Sequence, residues 1–301
     1  MRLALPPWLD ALRPSQLAKN ALVLAGFFFA LPDRHQAGID PLAAGIRTLA
    51  AAALFAVVSG AVYLLNDLHD APRDRLHPEK RRRPVASGAL SPRAALVECA
   101  LLAALSAALA PLLGRTFALV LGGYFAMQVA YTFALKRVPI LDACCIAAGF
   151  ALRVWAGVAA ARVVLAPAIL ICTFFGALFL ALCKRVSEVV ELGTPEAAAA
   201  HRPVLRHYFP PFTRALTMLC SASATLAAYS AWALSPDTAE KFGTRGMALT
   251  IPFVLYGLAH YCALAARGKG GRPEKILLHD RRTQLCIALY LATCAAVWLA
   301  R

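Results

Sequence analysis

Long apolar segments, each close to the length of a membrane-spanning helix, recur along the whole of this 301-residue chain. A helix needs about 20 predominantly apolar residues to cross the hydrocarbon core of a bilayer. A transmembrane β-barrel would instead contain short segments of alternating polarity, which this sequence lacks. The sequence therefore predicts an all-α polytopic membrane protein that folds as one domain over residues 1–301. The nine candidate transmembrane helices cover residues 18–32, 42–65, 91–113, 115–135, 139–161, 163–183, 212–234, 246–266 and 283–300.

The chain is strongly basic, with a formal net charge of +15, and the positions of the Lys and Arg residues indicate which kind of partner this charge serves. Most Lys and Arg residues lie in the N-terminal arm and in alternate loops, which is typical of a membrane protein rather than of a nucleic-acid-binding protein. The positive-inside rule predicts that the N-terminus and the larger loops are cytoplasmic. The lipid bilayer is therefore an expected partner and nucleic acid is not, while the sequence indicates no oligomeric state.

An acidic motif stands where the second apolar segment ends. Asn66, Asp67, Asp70 and Asp74 lie on one side of a helix end, where uncompensated carboxylates are costly. The cationic run Lys80-Arg81-Arg82-Arg83 follows shortly afterwards. Carboxylate and amide oxygens bind divalent cations, and Lys and Arg bind phosphate oxygens. Together they suit a reaction in which charge develops on a departing pyrophosphate, so we interpret the chain as an enzyme.

Charged residues also occur in the next predicted helices. Lys136 closes the fourth segment, Asp142 opens the fifth, and Arg153 lies near the middle of the fifth. A lysine at such a position is equally compatible with an interfacial anchor. An intramembrane arginine is by default a functional candidate, although pairing with an acid on another helix is the structural alternative. For Asp142 and Arg153 we favour a role in the site.

Other candidate contact residues have a structural explanation beside the functional one. Lys184 and Glu188, at the end of the sixth segment, have the spacing of an ordinary helix-stabilising ion pair, although next to a phosphate site we favour ligand contact. Asp280 opens the ninth segment and has the position of a helix N-cap. Lys19 and Asn20 lie at a membrane edge, where anchoring and ligand contact are both expected.

The motif Asn66-Asp67-x-x-Asp70-x-x-x-Asp74, followed by Lys80-x-x-Arg83-Pro84, resembles the UbiA superfamily of intramembrane transferases. The resemblance implies a UbiA-like helical bundle of nine helices with a Mg²⁺-dependent active site that faces the cytoplasm. Ordinary prenyltransferases of the superfamily carry a second D-x-x-x-D motif between the sixth and seventh helices, and this sequence does not. The motifs that resemble the decaprenyl-phosphate phosphoribosyltransferase branch are Lys184-Arg185-x-x-Glu188, Arg13-Pro14-x-Gln16-x-x-Lys19-Asn20, Tyr131-x-x-x-Leu135-Lys136 and Leu152-Arg153.

This branch implies phosphoribosyl pyrophosphate as the donor and polyprenyl phosphate as the acceptor, in the inner membrane of a bacterial-type cell. The sequence departs from the branch at Leu17 and Val186, where an aromatic residue and Tyr are usual. The implied catalytic residues are Asn66, Asp67, Asp70 and Asp74, of which Asn66, Asp70 and Asp74 hold Mg²⁺. The implied substrate contacts are Lys19, Asn20, Lys80, Arg83, Tyr131, Lys136, Asp142, Arg153, Lys184, Arg185, Glu188 and Asp280.

Three alternatives remain open at the level of the sequence. A conventional prenyltransferase would move a prenyl group from a prenyl diphosphate to an aromatic or other acceptor, with other metal ligands in place of the missing second motif. A transporter of anionic solutes predicts inverted repeats and broken helices, which the hydropathy does not indicate. A non-catalytic lipid-binding protein has no need for acids clustered beside a basic run.

Overall fold

The structure of the protein, a computed structural model, is built from helices. Every regular element in the part of the chain that it describes is an α-helix or a short 3₁₀ helix, which confirms the predicted all-α class. The described residues are 5–30, 40–76, 80–165 and 167–299.

The chain divides into two compact units, and the first consists of Met1–Lys136 and Gly149–Ala166. Three 3₁₀ helices in or at the edge of this unit cover Pro14–Ala21, Lys80–Arg82 and Leu135–Arg137. Its α-helices are α1 (Pro7–Ala11), α2 (Leu22–Ala30), α3 (Pro41–Asp74), α4 (Pro84–Ser87), α5 (Pro92–Leu113), α6 (Arg115–Phe133) and the larger part of α7 (Leu141–Ala161).

The second unit consists of Arg137–Ala148 and Pro167–Arg301, so it contains the first residues of α7. Two 3₁₀ helices cover Pro203–Tyr208 and Gly246–Thr250. The prediction of a single domain over residues 1–301 stays a prediction. The α-helices of the second unit are α8 (Pro167–Leu192), α9 (Pro195–His201), α10 (Pro211–Ala233), α11 (Pro236–Phe242), α12 (Ile251–Ala266), α13 (Pro273–His279) and α14 (Arg281–Leu299).

Helix starts follow local sequence signals. Asp40, Ser91, Thr194 and Ser235 each precede a proline, and each side chain accepts a hydrogen bond from a backbone N–H in the first turn. This is the N-cap arrangement, and proline fits the first helical position because its missing N–H would have no partner there. At the other end of α11, Gly243 ends the helix in the left-handed region, with φ of 66°.

Seven helices in the described part of the chain are long and apolar enough to cross a membrane. They are Pro41–Asp74, Pro92–Leu113, Arg115–Phe133, Leu141–Ala161, Pro167–Leu192, Gly246–Ala266 and Arg281–Leu299. These seven correspond to predicted spans, so the protein is a multi-pass membrane protein. The other two predicted spans fall on α2 and α10, and residues 31 and 32 of the first lie outside the described residues. A total of nine spans stays a prediction.

Large apolar side chains cover the outer surfaces of these helices. On α5, for example, Leu101, Leu105 and Leu112 are 65%, 47% and 73% exposed. Exposed leucines at the spacing of one helix face are costly in water but suit contact with lipid chains. The outward face of α5 therefore fits a lipid environment.

In the first unit, α2 and α7 approach each other with no side chain between their backbones. A methyl group added at Gly157 would lie 1.7 Å from the carbonyl oxygen of Val23, well inside any van der Waals contact. Small residues permit such close helix packing in membranes, where van der Waals contact replaces the hydrophobic effect as the driving force. Nearby, the rings of Phe55 and Tyr124 pack with centroids 4.6 Å apart.

One charged side chain joins the ends of two helices in the first unit. Arg47 Nε donates to the carbonyl oxygen of Ala160 at 2.7 Å, and Arg47 Nη2 donates to that of Leu113. These carbonyls lie in the last turns of α7 and α5, where no N–H of the same helix follows to bond them. Arg47 therefore caps both helices, near the end of α3 that is opposite to the acidic motif.

Candidate active site

The acidic end of α3 is held by arginines from outside that helix. Asp67 is 2% exposed, and its Oδ1 accepts hydrogen bonds from Arg13 and Arg83. Arg83 Nη1 also donates to Oδ2 of Asp74 at 2.6 Å. The second oxygen of Asp67, Oδ2, is buried and has no hydrogen-bond partner among the described residues. Asp67 thus connects the N-terminal arm and the loop after α3 to this helix.

Asp70 is more exposed than the other two acids. Its Oδ1 accepts a hydrogen bond of 2.7 Å from Lys136 Nζ, and the two side chains are 31% and 19% exposed respectively. Three carboxylates are thus paired with three cations, and their formal charges balance. We call this group the α3 ion-pair cluster, and its members are Asp67, Asp70, Asp74, Arg13, Arg83 and Lys136.

A row of polar side chains on α6 leads to Asn66. Tyr124, Gln128 and Thr132 recur every fourth residue and so lie on one face of this helix. Gln128 Nε2 donates to Tyr124 Oη at 3.1 Å, and Thr132 Oγ1 donates to Asn66 Oδ1 at 2.8 Å. Asn66 Nδ2 in turn donates to the carbonyl oxygen of Val62 at 3.1 Å. The side-chain amide of Asn66 is therefore oriented by contacts on both its oxygen and its nitrogen.

Arg153 is buried in the first unit, with 6% of its surface exposed. Its Nε donates to Asn20 Oδ1 at 3.2 Å, its Nη1 to Gly149 O at 2.8 Å and its Nη2 to Tyr124 Oη at 2.8 Å. The guanidinium carbon also lies 5.0 Å from the centre of the Tyr124 ring, within cation–π distance. These hydrogen bonds go to an amide, a backbone carbonyl and a phenol, not to an acid on another helix. Contact of Arg153 or Asn20 with substrate stays a prediction.

The oxygen ligands predicted for Mg²⁺ share one face of α3. Asn66, Asp70 and Asp74 are successive fourth residues, and they offer an amide oxygen and two carboxylates. The ion pairs use Oδ1 of Asp70 and Oδ2 of Asp74, one oxygen of each carboxylate. Within the described ranges, no three His, Cys, Asp or Glu side chains are grouped closely enough to hold a metal ion. Mg²⁺ at phosphate sites commonly binds one or two carboxylates together with substrate phosphates, so this donor set fits it.

A second set of charged residues is buried in the second unit. Asp142 is fully buried, and its Oδ2 accepts a hydrogen bond of 2.9 Å from Nε of Arg185, which is 3% exposed. Arg185 Nη1 donates to Glu188 Oε2 at 3.0 Å, and Arg202 lies 3.9 Å from the same oxygen of Asp142. The ion pair considered for Lys184 with Glu188 is thus formed by Arg185, while Lys184 is exposed. Contact of these residues with substrate stays a prediction.

Asp280 lies just before α14 and binds the first turn of this helix. Its Oδ2 accepts hydrogen bonds from the backbone N–H and the hydroxyl of Thr283, both at 2.8 Å, and lies 2.8 Å from His260 Nε2. The hydrogen bonds from Thr283, then the one from His260, lower the pKa of Asp280 to about 2. This is the N-cap geometry that the sequence suggested as the structural explanation.

The remaining predicted contact residues lie in more open positions. Lys19 and Lys184 are exposed, while Lys80 and Tyr131 are half-buried. The structure therefore gathers the predicted residues into separate clusters of the two units. In the first unit it brings together Asn66, Asp67, Asp70, Asp74, Arg83 and Lys136, and in the second it brings together Asp142, Arg185 and Glu188.

Comparison with known proteins gives the family of this chain. The sequence model of the UbiA prenyltransferase family matches residues 21–285. The chain belongs to this family. The decaprenyl-phosphate phosphoribosyltransferase of Mycolicibacterium smegmatis is 34% identical over 295 residues, which cover 96% of this chain and 91% of the relative. That of Corynebacterium glutamicum is 34% identical, in an alignment that covers 97% of this chain and 86% of the relative. The resemblance noted in the sequence is thus confirmed.

The fold is also that of solved UbiA structures. A UbiA homolog from Archaeoglobus fulgidus, bound to DMAPP and Mg²⁺, superposes with a TM-score of 0.68 and covers 98% of this chain and 100% of its own. The two sequences are 21% identical, so this likeness establishes the UbiA fold and not the substrate.

Some residues around the UbiA motif were not predicted from the sequence. The spacing of Tyr124, Gln128 and Thr132 in an otherwise apolar helix is a signal that would have found the polar row. No comparable signal marked Arg13 as a partner of Asp67, because 54 residues separate the two in the chain.

Proposed function

We propose that this UbiA family member transfers 5-phosphoribose from phosphoribosyl pyrophosphate to a polyprenyl phosphate of the decaprenyl type and releases pyrophosphate. The named relatives support this proposal because each aligns with nearly the whole chain. The structural observation that carries it is the α3 ion-pair cluster, in which carboxylates and cations stand together at one helix end. A donor with a pyrophosphate leaving group needs both, since carboxylates hold a metal and cations bind phosphate oxygens.

The reaction is a substitution at the anomeric carbon of the ribose. A phosphate oxygen of the lipid forms a bond to this carbon while the bond from the carbon to the pyrophosphate oxygen breaks. The electron pair of the broken bond leaves with pyrophosphate. Because the lipid phosphate is already an anion, the reaction needs no strong general base. The protein then contributes by positioning both substrates and by neutralising charge on the leaving group.

Five side chains take direct roles in this proposal. Arg83 and Lys136 bind oxygens of the pyrophosphate group, and Asn66, Asp70 and Asp74 hold Mg²⁺. When bound, Mg²⁺ neutralises charge that develops on the leaving pyrophosphate. The two carboxylates and the two cations lie at hydrogen-bond distance from each other, so the groups for metal and for phosphate stand at the same helix end.

Asp67 has a supporting role in this scheme. It is almost fully buried and bonds Arg83, so it positions that guanidinium rather than binding metal itself. The remaining residues stay proposed contacts for the donor's phosphates and ribose or for the lipid phosphate: Lys19, Asn20, Lys80, Tyr131, Asp142, Arg153, Lys184, Arg185, Glu188 and Asp280.

The proposal includes a location and an orientation in the membrane. We place the protein in the inner membrane of a bacterial-type cell, with nine transmembrane helices, a cytoplasmic N-terminus and an active site that faces the cytoplasm. The distribution of Lys and Arg among the loops supports this orientation.

The test is transfer of labelled phosphoribose into lipid. Purified protein is incubated with Mg²⁺, decaprenyl phosphate and phosphoribosyl pyrophosphate labelled in the ribose, and label is followed into the organic phase. We expect transfer by the wild type and none by Asp70→Asn. Asp40→Asn is the matched control, because it makes the same chemical change at the other end of α3, where Asp40 is an N-cap. If no label moves while prenyl diphosphate is consumed in a parallel assay, the prenyltransferase alternative replaces this proposal.

A further inference from the structure

In the α3 ion-pair cluster, the side chains proposed to bind metal and pyrophosphate are already bound to each other. Lys136 lies 2.7 Å from Asp70, and Arg83 lies 2.6 Å from Asp74. These two cations are assigned to pyrophosphate, and these two carboxylates are assigned to the metal. A cation at hydrogen-bond distance from a carboxylate weakens the attraction of that carboxylate for a second cation. Metal and pyrophosphate therefore compete with these two ion pairs for the same side chains.

We infer that Lys136 and Arg83 are exchangeable counter-ions, which neutralise Asp70 and Asp74 until the donor binds and then transfer to its pyrophosphate group. This inference rests on the proposed function. It follows that divalent metal alone binds weakly, and that metal and pyrophosphate bind together. In the exchange no charge loses a partner, because each carboxylate passes from a cationic side chain to the metal and each cation passes to a phosphate oxygen.

The exposure of the pairs supports exchange rather than a permanent structural role. In the pair of Lys136 and Asp70 the side chains are 19% and 31% exposed, whereas in the pair of Arg83 and Asp74 they are 27% and 6% exposed. By contrast, the pair of Arg185 and Asp142 in the second unit is 3% and 0% exposed. Opening a partly exposed ion pair costs little free energy, whereas breaking a buried one costs much more.

The hydrogen bond to Asp67 allows Arg83 to leave Asp74 and still remain in the cluster. Arg83 Nη1 contacts Oδ1 of Asp67 at 3.3 Å in addition to Asp74. The guanidinium therefore keeps one partner at the buried side while its contact with Asp74 is replaced by a phosphate oxygen. Asp67 also accepts a hydrogen bond from Arg13, which lies in the N-terminal arm and holds Asp67 in place.

The test compares metal binding with pyrophosphate binding in one variant. Mn²⁺ serves as the metal, because the electron paramagnetic resonance signal of free Mn²⁺ reports binding without any turnover. Calorimetry then gives the affinity for the preformed complex of Mn²⁺ and inorganic pyrophosphate. We expect Lys136→Met to bind Mn²⁺ alone about three- to fivefold more tightly than the wild type, as expected for release of a partly exposed ion pair. The same variant should bind the pyrophosphate complex more weakly.

Arg137→Gln is the matched control, because it removes one positive charge at the next residue, and Arg137 is exposed. We expect it to leave both affinities within about twofold of the wild type, as expected for a screened surface charge. Arg83→Gln gives an independent second measurement, with the same opposite changes expected at Asp74.

Unchanged or weaker binding of Mn²⁺ alone by both Lys136→Met and Arg83→Gln would overturn the inference, as would an equal effect of Arg137→Gln. These measurements use only metal and inorganic pyrophosphate. A phosphoribose donor and a prenyl donor both contain a pyrophosphate group, so the result does not depend on which donor the protein uses. Failure of the exchange and failure of phosphoribose transfer are therefore separate results.

Discussion

Replacing Gly157 by alanine tests whether the close approach of α2 and α7 organises the first unit. The added methyl group would lie 1.7 Å from the carbonyl oxygen of Val23, 2.8 Å from its carbonyl carbon and 3.3 Å from its Cα. All three are backbone atoms, so no side-chain rotation relieves the overlap. Because contacts under about 3 Å are not tolerated, α2 or α7 must shift by more than about 1 Å.

The cost follows from two opposing effects. Overpacking of this kind destabilises by about 1–3 kcal/mol, and by more where backbone must move. Alanine in place of glycine inside a helix stabilises by up to about 1 kcal/mol. Gly122→Ala, on an exposed face of α6, supplies this second effect alone, because no described atom beyond the adjacent backbone of its own helix lies within 4 Å of the added methyl group. We expect the two variants to differ in stability by about 2 kcal/mol or more, with Gly157→Ala the less stable.

The assay is loss of monodisperse protein in detergent after heating, measured by size-exclusion chromatography. We expect Gly122→Ala to match or exceed the wild type and Gly157→Ala to be lost at a temperature several degrees lower. A shift of α2 would also move Asn20, which lies three residues before Val23 and accepts a hydrogen bond from Arg153. Equal heat resistance of the two alanine variants would show that α2 and α7 do not make this contact, and the argument would then be refuted.

Three further predictions concern single polar contacts. Thr132→Val removes the donor that orients Asn66, so we expect the half-saturating Mg²⁺ concentration for transfer to rise several-fold. Thr132→Ser keeps the hydroxyl and should need the same Mg²⁺ concentration as the wild type. An unchanged Mg²⁺ titration of Thr132→Val would contradict this prediction. Asp142→Asn removes one of the two carboxylates that bond the buried Arg185, while Glu188 remains, so we expect destabilisation of about 1–3 kcal/mol, seen as a lower unfolding temperature in detergent. Asp280 has a pKa of about 2, below the value of about 3.9 for an unfolded chain, so its stabilising effect is complete above about pH 4 and is lost as the pH falls toward 2. The difference in unfolding temperature between the wild type and Asp280→Asn should therefore shrink over that range, and a constant difference would refute it.

Hydropathy predicted where the helices lie better than where they end. The predicted spans 91–113 and 246–266 agree with the observed helical segments to within one residue. By contrast, α3 continues from the predicted end at residue 65 through Pro72 to Asp74, and α8 continues from 183 to Leu192. Hydropathy records which side chains suit lipid, whereas the backbone hydrogen bonds of a helix continue past the last apolar residue.

The composition of the site was predictable in part, but its pairing was not. The spacing of Asp70 and Asp74 beside a cationic run was enough to indicate a metal and phosphate site, and the cations that pair with them were among the predicted residues. Which cation faces which acid depends on tertiary contacts: Lys136 is 66 residues from Asp70 in the chain. Arg185 illustrates the limit, because a sequence motif marks the residue but does not reveal that its side chain is 3% exposed.

The contacts of Arg47 have a consequence for the charge that the folded protein presents to the bilayer. The C-terminal ends of two helices each carry about half a negative charge, so together they offset the single positive charge of this guanidinium. An arginine neutralised in this way resembles a neutral residue to the bilayer once α5 and α7 have packed. In the folded protein Arg47 therefore needs no acidic side chain as its partner.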